Sequence, residues 1–410
     1  MADTVAVRQF AHSSELGSVP ARVTWVHGVL LIMGSWCTVL AAGAVSPVLP
    51  QIRDAFATAP RLDLMVGFVA TMPSLAVALF AIPLGRVADR YGLTQVMLMG
   101  LVLFGLAGVL PFWLTSLNAI VATRFIVGIG EAAVMITSTA LIGLLFDGAR
   151  RTRWLGLQVA VGNFLGIAVL LGGGYLGLLG WQGPFLIYSF GILLFVPCLF
   201  LVPRPLAAGG VTAGKQRSRV SRSTLLLVGE SCALIFITSM ALFTVIVQAG
   251  FLFELRGASD SMLRGYGMAA GATGIAVGAT ISGLVTSLAT STKMRIALVM
   301  MGGGLLGMML AESFAITAAI SLIAGFGSGF AIPALLSRLL GRLPADQMGS
   351  MTGWWIAATF AAQFANPPLF IVLNDIGGSQ AAAIGMMGGI CLLVGLLLPM
   401  LMRADKAENR

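Results

Sequence analysis

Two ionisable residues stand inside one long apolar run, Arg124 and Glu131 in the stretch 119–146. A charge at that depth in hydrocarbon costs several kcal/mol, about 3 kcal/mol or more, and is normally kept for function. Their spacing of seven places both on one face of a helix, about 10 Å apart along its axis, too far for a simple salt bridge. That face continues through Met135 and Ser138 and is expected to look into a cavity rather than into lipid. Low dielectric favours the neutral form of a carboxyl group, so Glu131 is the first candidate for binding and releasing a proton. Arg124 is suited to docking an anionic group bidentately, and a structural ion pair with another helix is the alternative for both residues. Glu230, a few residues inside a later run, is a second acidic candidate, although a side chain so near a helix end can also snorkel to water.

These residues need an element to hold them, and composition says which. Hydrophobic residues make up 58% of the chain and charged residues 10%, against about a quarter charged in soluble domains. A bilayer core of roughly 30 Å takes about 20 apolar residues per helix. Twelve such stretches follow one another, at about 25–48, 64–84, 95–114, 119–146, 154–176, 185–202, 225–251, 265–288, 296–310, 315–336, 348–373 and 381–401. Spans nine and ten are parted only by Glu312, Ser313 and Phe314, the weakest of these boundaries. In lipid every backbone group must be satisfied within its segment, so the spans are helices, and the alternation of a membrane barrel is missing. The expected fold is an all-α polytopic membrane protein.

Charge distribution gives orientation. With the N-terminus cytoplasmic, most Lys and Arg fall on inner loops and tails, and the outer loops hold only Arg53, Arg61, Arg256 and Arg264. Both termini are then inside, and the formal charge of +9 reflects insertion and anionic lipid rather than nucleic acid. Residues 1–24 form a polar cytoplasmic tail without a signal-peptide pattern, which makes the first span its own insertion signal. A basic linker, 203–223, divides the chain into six-helix bundles at 25–202 and 224–402, and 403–410 form a second cytoplasmic tail. The halves repeat one pattern: Arg124-x-x-x-Gly128-x-Gly130-Glu131 in span four aligns with Ser321-x-x-x-Gly325-x-Gly327-Ser328 in span ten. Because Ser321 and Ser328 occupy the second copy, the repeat's packing does not demand the charges of the first.

Between spans two and three lies Gly85-Arg-Val-Ala-Asp89-Arg90-Tyr-Gly92. Gly85 and Gly92 permit a tight reversal, and Asp89 is an anion available to Arg90 or to a neighbouring helix N-terminus. With this motif, the twelve spans, Arg124-x-x-x-Gly128-x-Gly130, Ser46-Pro47-Val-Leu-Pro50-Gln51 and Gly180-Trp181-Gln-Gly-Pro-Phe185, the chain resembles the major facilitator superfamily over its whole length. Within that family it is similar to the twelve-span drug:proton antiporter branch. The resemblance implies two pseudo-symmetric six-helix bundles working by alternating access, a gate at Gly85, Asp89, Arg90 and Gly92, and a span-four arginine that assists proton coupling. Two departures stand out. Leu93 and Thr94 replace the basic residues usual after Gly92, and Gly162-Asn-Phe-Leu-Gly166 is followed by Ile167 where the antiporter signature has proline.

Further cavity candidates are Trp36, Tyr266, Phe330, Trp354, Trp355, Gln363 and Asn366, an aromatic and amide set suited to amphipathic organic molecules. Asn366-Pro367-Pro368 also marks a kink. Gly209 to Lys215 has the outline of a phosphate loop, but Gln216 stands where Ser or Thr is required and no strand precedes it, so no nucleotide site is expected. Cys37, Cys198, Cys232 and Cys391 are isolated within spans, only His12 and His27 are present, and no metal, cofactor or enzymatic centre is expected. The leading expectation is proton-coupled efflux of small hydrophobic or amphipathic compounds across a bacterial inner membrane. A proton-coupled importer of a small organic anion held by Arg124 is one alternative, and a transporter-like receptor or scaffold without transport is another.

Overall fold

The structure, a computed structural model, describes residues 23–203, 221–285, 287–344 and 347–401. Among them, twelve helices are long and apolar enough to cross a membrane: α1 Trp25–Ala55, α2 Leu62–Tyr91, α3 Leu93–Trp113, α4 Leu117–Leu145, α5 Gly148–Leu179, α6 Gly183–Leu201, α7 Thr224–Leu255, α8 Ser261–Leu284, α9 Thr290–Leu310, α10 Phe314–Arg342, α11 Ser350–Gly377 and α12 Gln380–Leu398. The tails, most of the linker and the Gly209 to Lys215 segment lie outside the described residues. With an even number of spans, α1 begins and α12 ends at the same end of the bundle, called here the tail end; the opposite end is the far end.

Local chemistry accounts for the boundaries. The narrow break between α9 and α10 is made by Ser313, whose hydroxyl accepts from the Ile316 amide at 3.4 Å and caps α10. Pro47 and Pro50 cannot donate to a helix, and α1 accordingly changes at Ser46–Val48 into a short tight turn before resuming at Leu49–Ala55. The glycine-bounded octapeptide departs from expectation. Helix α2 runs straight through Gly85 to Tyr91, and the reversal falls on Gly92 alone, at φ 97°, where an L side chain is strained. Residues 86–91 are competent helix formers with nothing to break them, so Gly85 is a helical residue and Asp89 and Arg90 sit on the last turn of α2.

Two hydrophobic clusters fill the interior, one drawn from α1–α6 with Phe243 and Val247, the other from α7–α12 with Leu170. The glycine repeat explains how each closes. A Cβ on Gly130 would lie 2.7 Å from the Gly100 carbonyl oxygen of α3, and one on Gly327 would lie 2.5 Å from the Ala297 carbonyl oxygen of α9. Gly128 likewise abuts Pro73 of α2, and Gly325 abuts Gly271 of α8. Span four therefore packs on spans two and three as span ten packs on spans eight and nine. Gly130→Ala and Gly327→Ala are each expected to cost about 1–3 kcal/mol by overpacking, read as a lowered thermal midpoint of the purified protein, whereas Gly303→Ala, which meets open space, should change little.

Candidate functional site

A cavity of about 180 Å³ lies where the clusters face each other. Both sides contribute to it: Thr38 of α1, Ser74 of α2, Glu131 of α4 and Asn163 of α5 oppose Phe243 and Ile246 of α7, Ile275 of α8, and Phe360 and Gln363 of α11. Glu131 is the one ionisable residue in the lining. It is 2% exposed, and its Oε2 has no hydrogen-bond partner among the described residues. A buried carboxyl oxygen without a donor is costly in either protonation state. Beside it the Ser74 hydroxyl donates to Gln363 Oε1 at 2.8 Å, one hydrogen bond joining the two sides.

Arg124 is placed differently from the expectation that it lines this cavity. It is fully buried and absent from the lining. Its Nε donates to the Val69 carbonyl of α2 at 3.0 Å, and its Nη2 donates to the Ala41 carbonyl of α1 at 2.5 Å and to Tyr188 Oη of α6 at 2.6 Å. The guanidinium also lies 4.4 Å from the Tyr188 ring centroid and 5.8 Å from that of Phe185. Arg124 and Glu131 form no ion pair among the described residues, and Arg124 meets the cavity only through the backbone of Ala41, a lining residue. Arg124 ties three helices together, leaving only Nη1 unpartnered. In the second copy of the repeat Ser321 makes the corresponding reach, from α10 to the Gly267 carbonyl of α8 at 3.3 Å.

Most of the other candidates also lie outside the lining. Glu230 is paired with Arg338 of α10 at 2.9 Å rather than facing the cavity. Trp36 stacks on Phe190 at 5.7 Å and Phe330 on Phe326 at the same separation, while Trp355 belongs to the core of the second cluster. Tyr266 and Trp354, 51% and 63% exposed, point away from the interior. Asn366 is buried against α7: it donates to the Met240 carbonyl at 3.1 Å and accepts from Gln248 Nε2 at 2.8 Å, beside a wide helical turn at Thr244–Gln248. Of the aromatic and amide set, Gln363 alone lines the cavity. The aromatic residues that do so, Phe243 and Phe360, give no signal in a sequence with 23 phenylalanines.

The two ends of the bundle differ. At the far end Glu254 of α7 pairs with Arg53 of α1 at 2.9 Å and with Arg264 of α8 at 3.6 Å, and Arg264 Nε donates to the Pro47 carbonyl at 3.0 Å. The Ser261 hydroxyl donates to the Gly174 carbonyl of α5 at 2.8 Å, and a Cβ on Gly174 would lie 2.7 Å from the Ser261 carbonyl oxygen. At the tail end a surface groove of about 810 Å³ is lined by Ile82 and Met135 of the first half and by Leu340 and Gly353 of the second, and the exposed Asp89 forms no ion pair among the described residues. Ion pairs thus join the halves at the far end, beside a second pocket of about 250 Å³ between Arg53, Asp63 and Gly67 on one side and Gln248, Phe370 and Asn374 on the other, whereas apolar contacts join them at the tail end. Glu254→Gln leaves Arg264 without its ion pair and Arg53 with Asp54 alone, so the far end is expected to open about tenfold more often, roughly 1.4 kcal/mol. Pulsed electron spin resonance between labels at the exposed Leu179 and Leu255 would read this as a new longer distance.

Comparisons with known proteins agree with this geometry. A sequence profile described as Major Facilitator Superfamily matches residues 31–365. Cephamycin export protein CmcT of Amycolatopsis lactamdurans is 28% identical over 252 residues, 61% of this chain and 46% of that protein. Tetracycline resistance protein, class H, of Pasteurella multocida is 27% identical over 177 residues, 42% of this chain and 43% of that one. Multidrug resistance protein Stp of Mycobacterium tuberculosis is 31% identical over 156 residues, 37% of this chain and 28% of that one. The matched region thus spans less than half the length of each relative. Among solved structures, a bacterial homolog to the human lysosomal transporter Spinster, in an inward-facing and unoccupied conformation, superposes with a TM-score of 0.73 at 15% identity, covering 95% of this chain and 97% of that one. At that identity the likeness is one of fold.

Proposed function

Because the chain belongs to the Major Facilitator Superfamily, a family of membrane transporters and not of enzymes, we propose that it is a secondary active transporter that exports small hydrophobic or amphipathic compounds in exchange for protons. The observation that carries this reading is the unpartnered Glu131 carboxyl in a cavity without a cation. A neutral glutamic acid and a glutamate differ by a full charge in a small apolar chamber. Proton and substrate are therefore natural competitors for the same space, which is the thermodynamic core of exchange. Phe243, Ile246, Ile275 and Phe360 offer apolar surface to a substrate body, while Asn163, Ser74 and Gln363 offer hydrogen bonds. The printed names of the relatives, cephamycin export and tetracycline or multidrug resistance, favour the outward direction. An importer of an organic anion is disfavoured, since Arg124 lies outside the cavity lining and commits Nε and Nη2 to backbone carbonyls and Tyr188, with only Nη1 left over.

Alternating access is the mechanism of this reading, supported by the two-sided cavity between the halves. The halves 25–202 and 224–402 rock about the cavity, with 203–223 as the linker between them. Opening the far end requires breaking the Glu254 pairs and the Ser74–Gln363 bond, and closing the tail end brings Asp89 and Arg90 towards the other half, where they act as the gate. By the positive-inside distribution the tail end faces the cytoplasm, and the membrane is a bacterial inner membrane.

The test is proton movement in proteoliposomes loaded with a pH-sensitive dye and challenged with cationic, neutral and anionic amphiphiles. Cationic and neutral compounds are expected to dissipate an imposed proton gradient by counterflow. Proton movement with anions only, in the anions' own direction, would instead establish the importer.

A further inference from the structure

At the tail end of the first six helices lies a pocket of about 580 Å³ that the transport cycle as described does not use. It is formed by the start of α1, the end of α4 and the start of α5, and its character is divided. Arg150 and Arg153 belong to its lining, both exposed, and neither side chain forms an ion pair or hydrogen bond among the described residues. Arg151 between them is different: it pairs with Asp147 at 3.6 Å and donates to the Phe146 carbonyl at 3.0 Å, and it is not part of the pocket. The floor is apolar and aromatic. Phe146 and Trp154 meet at 5.4 Å between ring centroids, Trp25 is 70% exposed at the mouth, and Leu157 follows one turn beyond Arg153. Gly28 makes the floor possible, since any side chain there would occupy the space of the Trp154 ring.

We propose that this pocket binds an anionic phospholipid of the tail-side leaflet, its phosphate on Arg150 and Arg153 and the upper part of an acyl chain on Trp154, Phe146 and Leu157. The lining contains two cations and no acid, so the occupant is an anion. Arg153 and Leu157 are four residues apart on one helix, about 6 Å along the axis, which matches the descent from a lipid phosphate to the first methylenes. Trp25 and Trp154 supply the indole rings that favour the headgroup level. A free phosphate ion would use the arginines and leave the exposed apolar floor wet, whereas a lipid covers both. Because the pocket joins α1 to α4 and α5 at the tail end, its occupancy braces the first half there.

The experiment is tryptophan quenching of the full chain in phosphatidylcholine vesicles doped with brominated phosphatidylglycerol or, in parallel, brominated phosphatidylcholine. Brominated phosphatidylglycerol is expected to quench selectively, and Trp154→Phe should remove most of the selective component. Arg150→Gln with Arg153→Gln should weaken that component roughly thirtyfold, about 1 kcal/mol for each arginine. Arg222→Gln with Arg295→Gln removes the same charge from exposed tail-end positions elsewhere and should leave it unchanged. Equal loss in both double variants would mean a non-specific charge effect and overturn the site, as would equal quenching by the two lipids. Displacement by inorganic phosphate at concentrations comparable to the lipid would assign the pocket to a soluble anion and overturn the lipid assignment. Circular dichroism of each variant separates any of these outcomes from misfolding.

Discussion

Glu131→Gln is expected to abolish proton-driven transport while leaving the protein folded and still able to exchange substrate down its own gradient. Glutamine has the shape of the protonated acid and cannot ionise, so the cavity is fixed in one electrostatic state. Concentrative efflux should fall at least about a hundredfold, the lower end for losing a positioned proton-transfer group. The residual downhill exchange should become independent of pH, since no other ionisable group lines the cavity among the described residues. Stability should hold or rise, because the side chain is 2% exposed and the amide carries no charge to desolvate. Glu131→Asp is the companion: it keeps the carboxyl but retracts it by one methylene, and it should retain pH dependence with a lowered rate. The measurement is dye-reported proton flux beside labelled-substrate efflux over a pH series. A glutamine variant that still moves protons with substrate would remove Glu131 from the carrier role.

The contrast between Glu131 and its neighbours shows what a linear sequence carries. The spans were legible because hydrocarbon imposes length and polarity on each segment separately, without reference to any other. The Gly128-x-Gly130 and Gly325-x-Gly327 copies were legible because close helix approach needs small residues at fixed register, and both now rest on equivalent neighbours. Glu131 announced itself because an acid in a span is expensive wherever its helix points. Direction was hidden. Tyr266 and Trp354 were chemically suitable for a cavity but face outward, and Phe243 and Phe360 face inward with nothing to set them apart. Helix rotation is fixed by the packing of all neighbours together, and single-span patterns in a chain apolar on every face do not encode it. The far-end pairs were hidden for another reason: Arg53 and Glu254 are 201 residues apart and meet only once both halves are assembled. The Gly85 to Gly92 segment misled through its glycines, since glycine permits a turn without requiring one and only Gly92 adopts the positive φ.

Arg124 separates a structural from a substrate role most sharply, and its replacement should have the largest effect on folding. Its guanidinium is the shared donor for a carbonyl of α1, a carbonyl of α2 and the Tyr188 hydroxyl, and it lies over the tyrosine ring. Arg124→Gln withdraws the charge and most of the reach, leaving the Val69 carbonyl and the Tyr188 hydroxyl without this donor and the Ala41 carbonyl with Tyr188 alone. The expected cost is about 3–5 kcal/mol, the scale for breaking a buried charged network from one side. Arg124→Lys is no rescue, because an ammonium on a flexible stem does not reproduce the planar fork that meets Val69 and Ala41 in different directions. Tyr188→Phe keeps the ring and loses one hydroxyl that also donates to the backbone of α1, at 2.8 Å from the Ala41 carbonyl, so it should cost less, about 1.5–3 kcal/mol, the value of a hydrogen bond to a charged group. Thermal unfolding of the detergent-solubilised variants should therefore rank wild type above Tyr188→Phe, and both above Arg124→Lys and Arg124→Gln. If Arg124 were instead a docking point for an anionic substrate, Arg124→Gln would unfold at the wild-type temperature and lose only anion binding. The two roles predict opposite outcomes in the same assay, because a residue that serves a ligand is spared in its absence and a residue that joins helices is not.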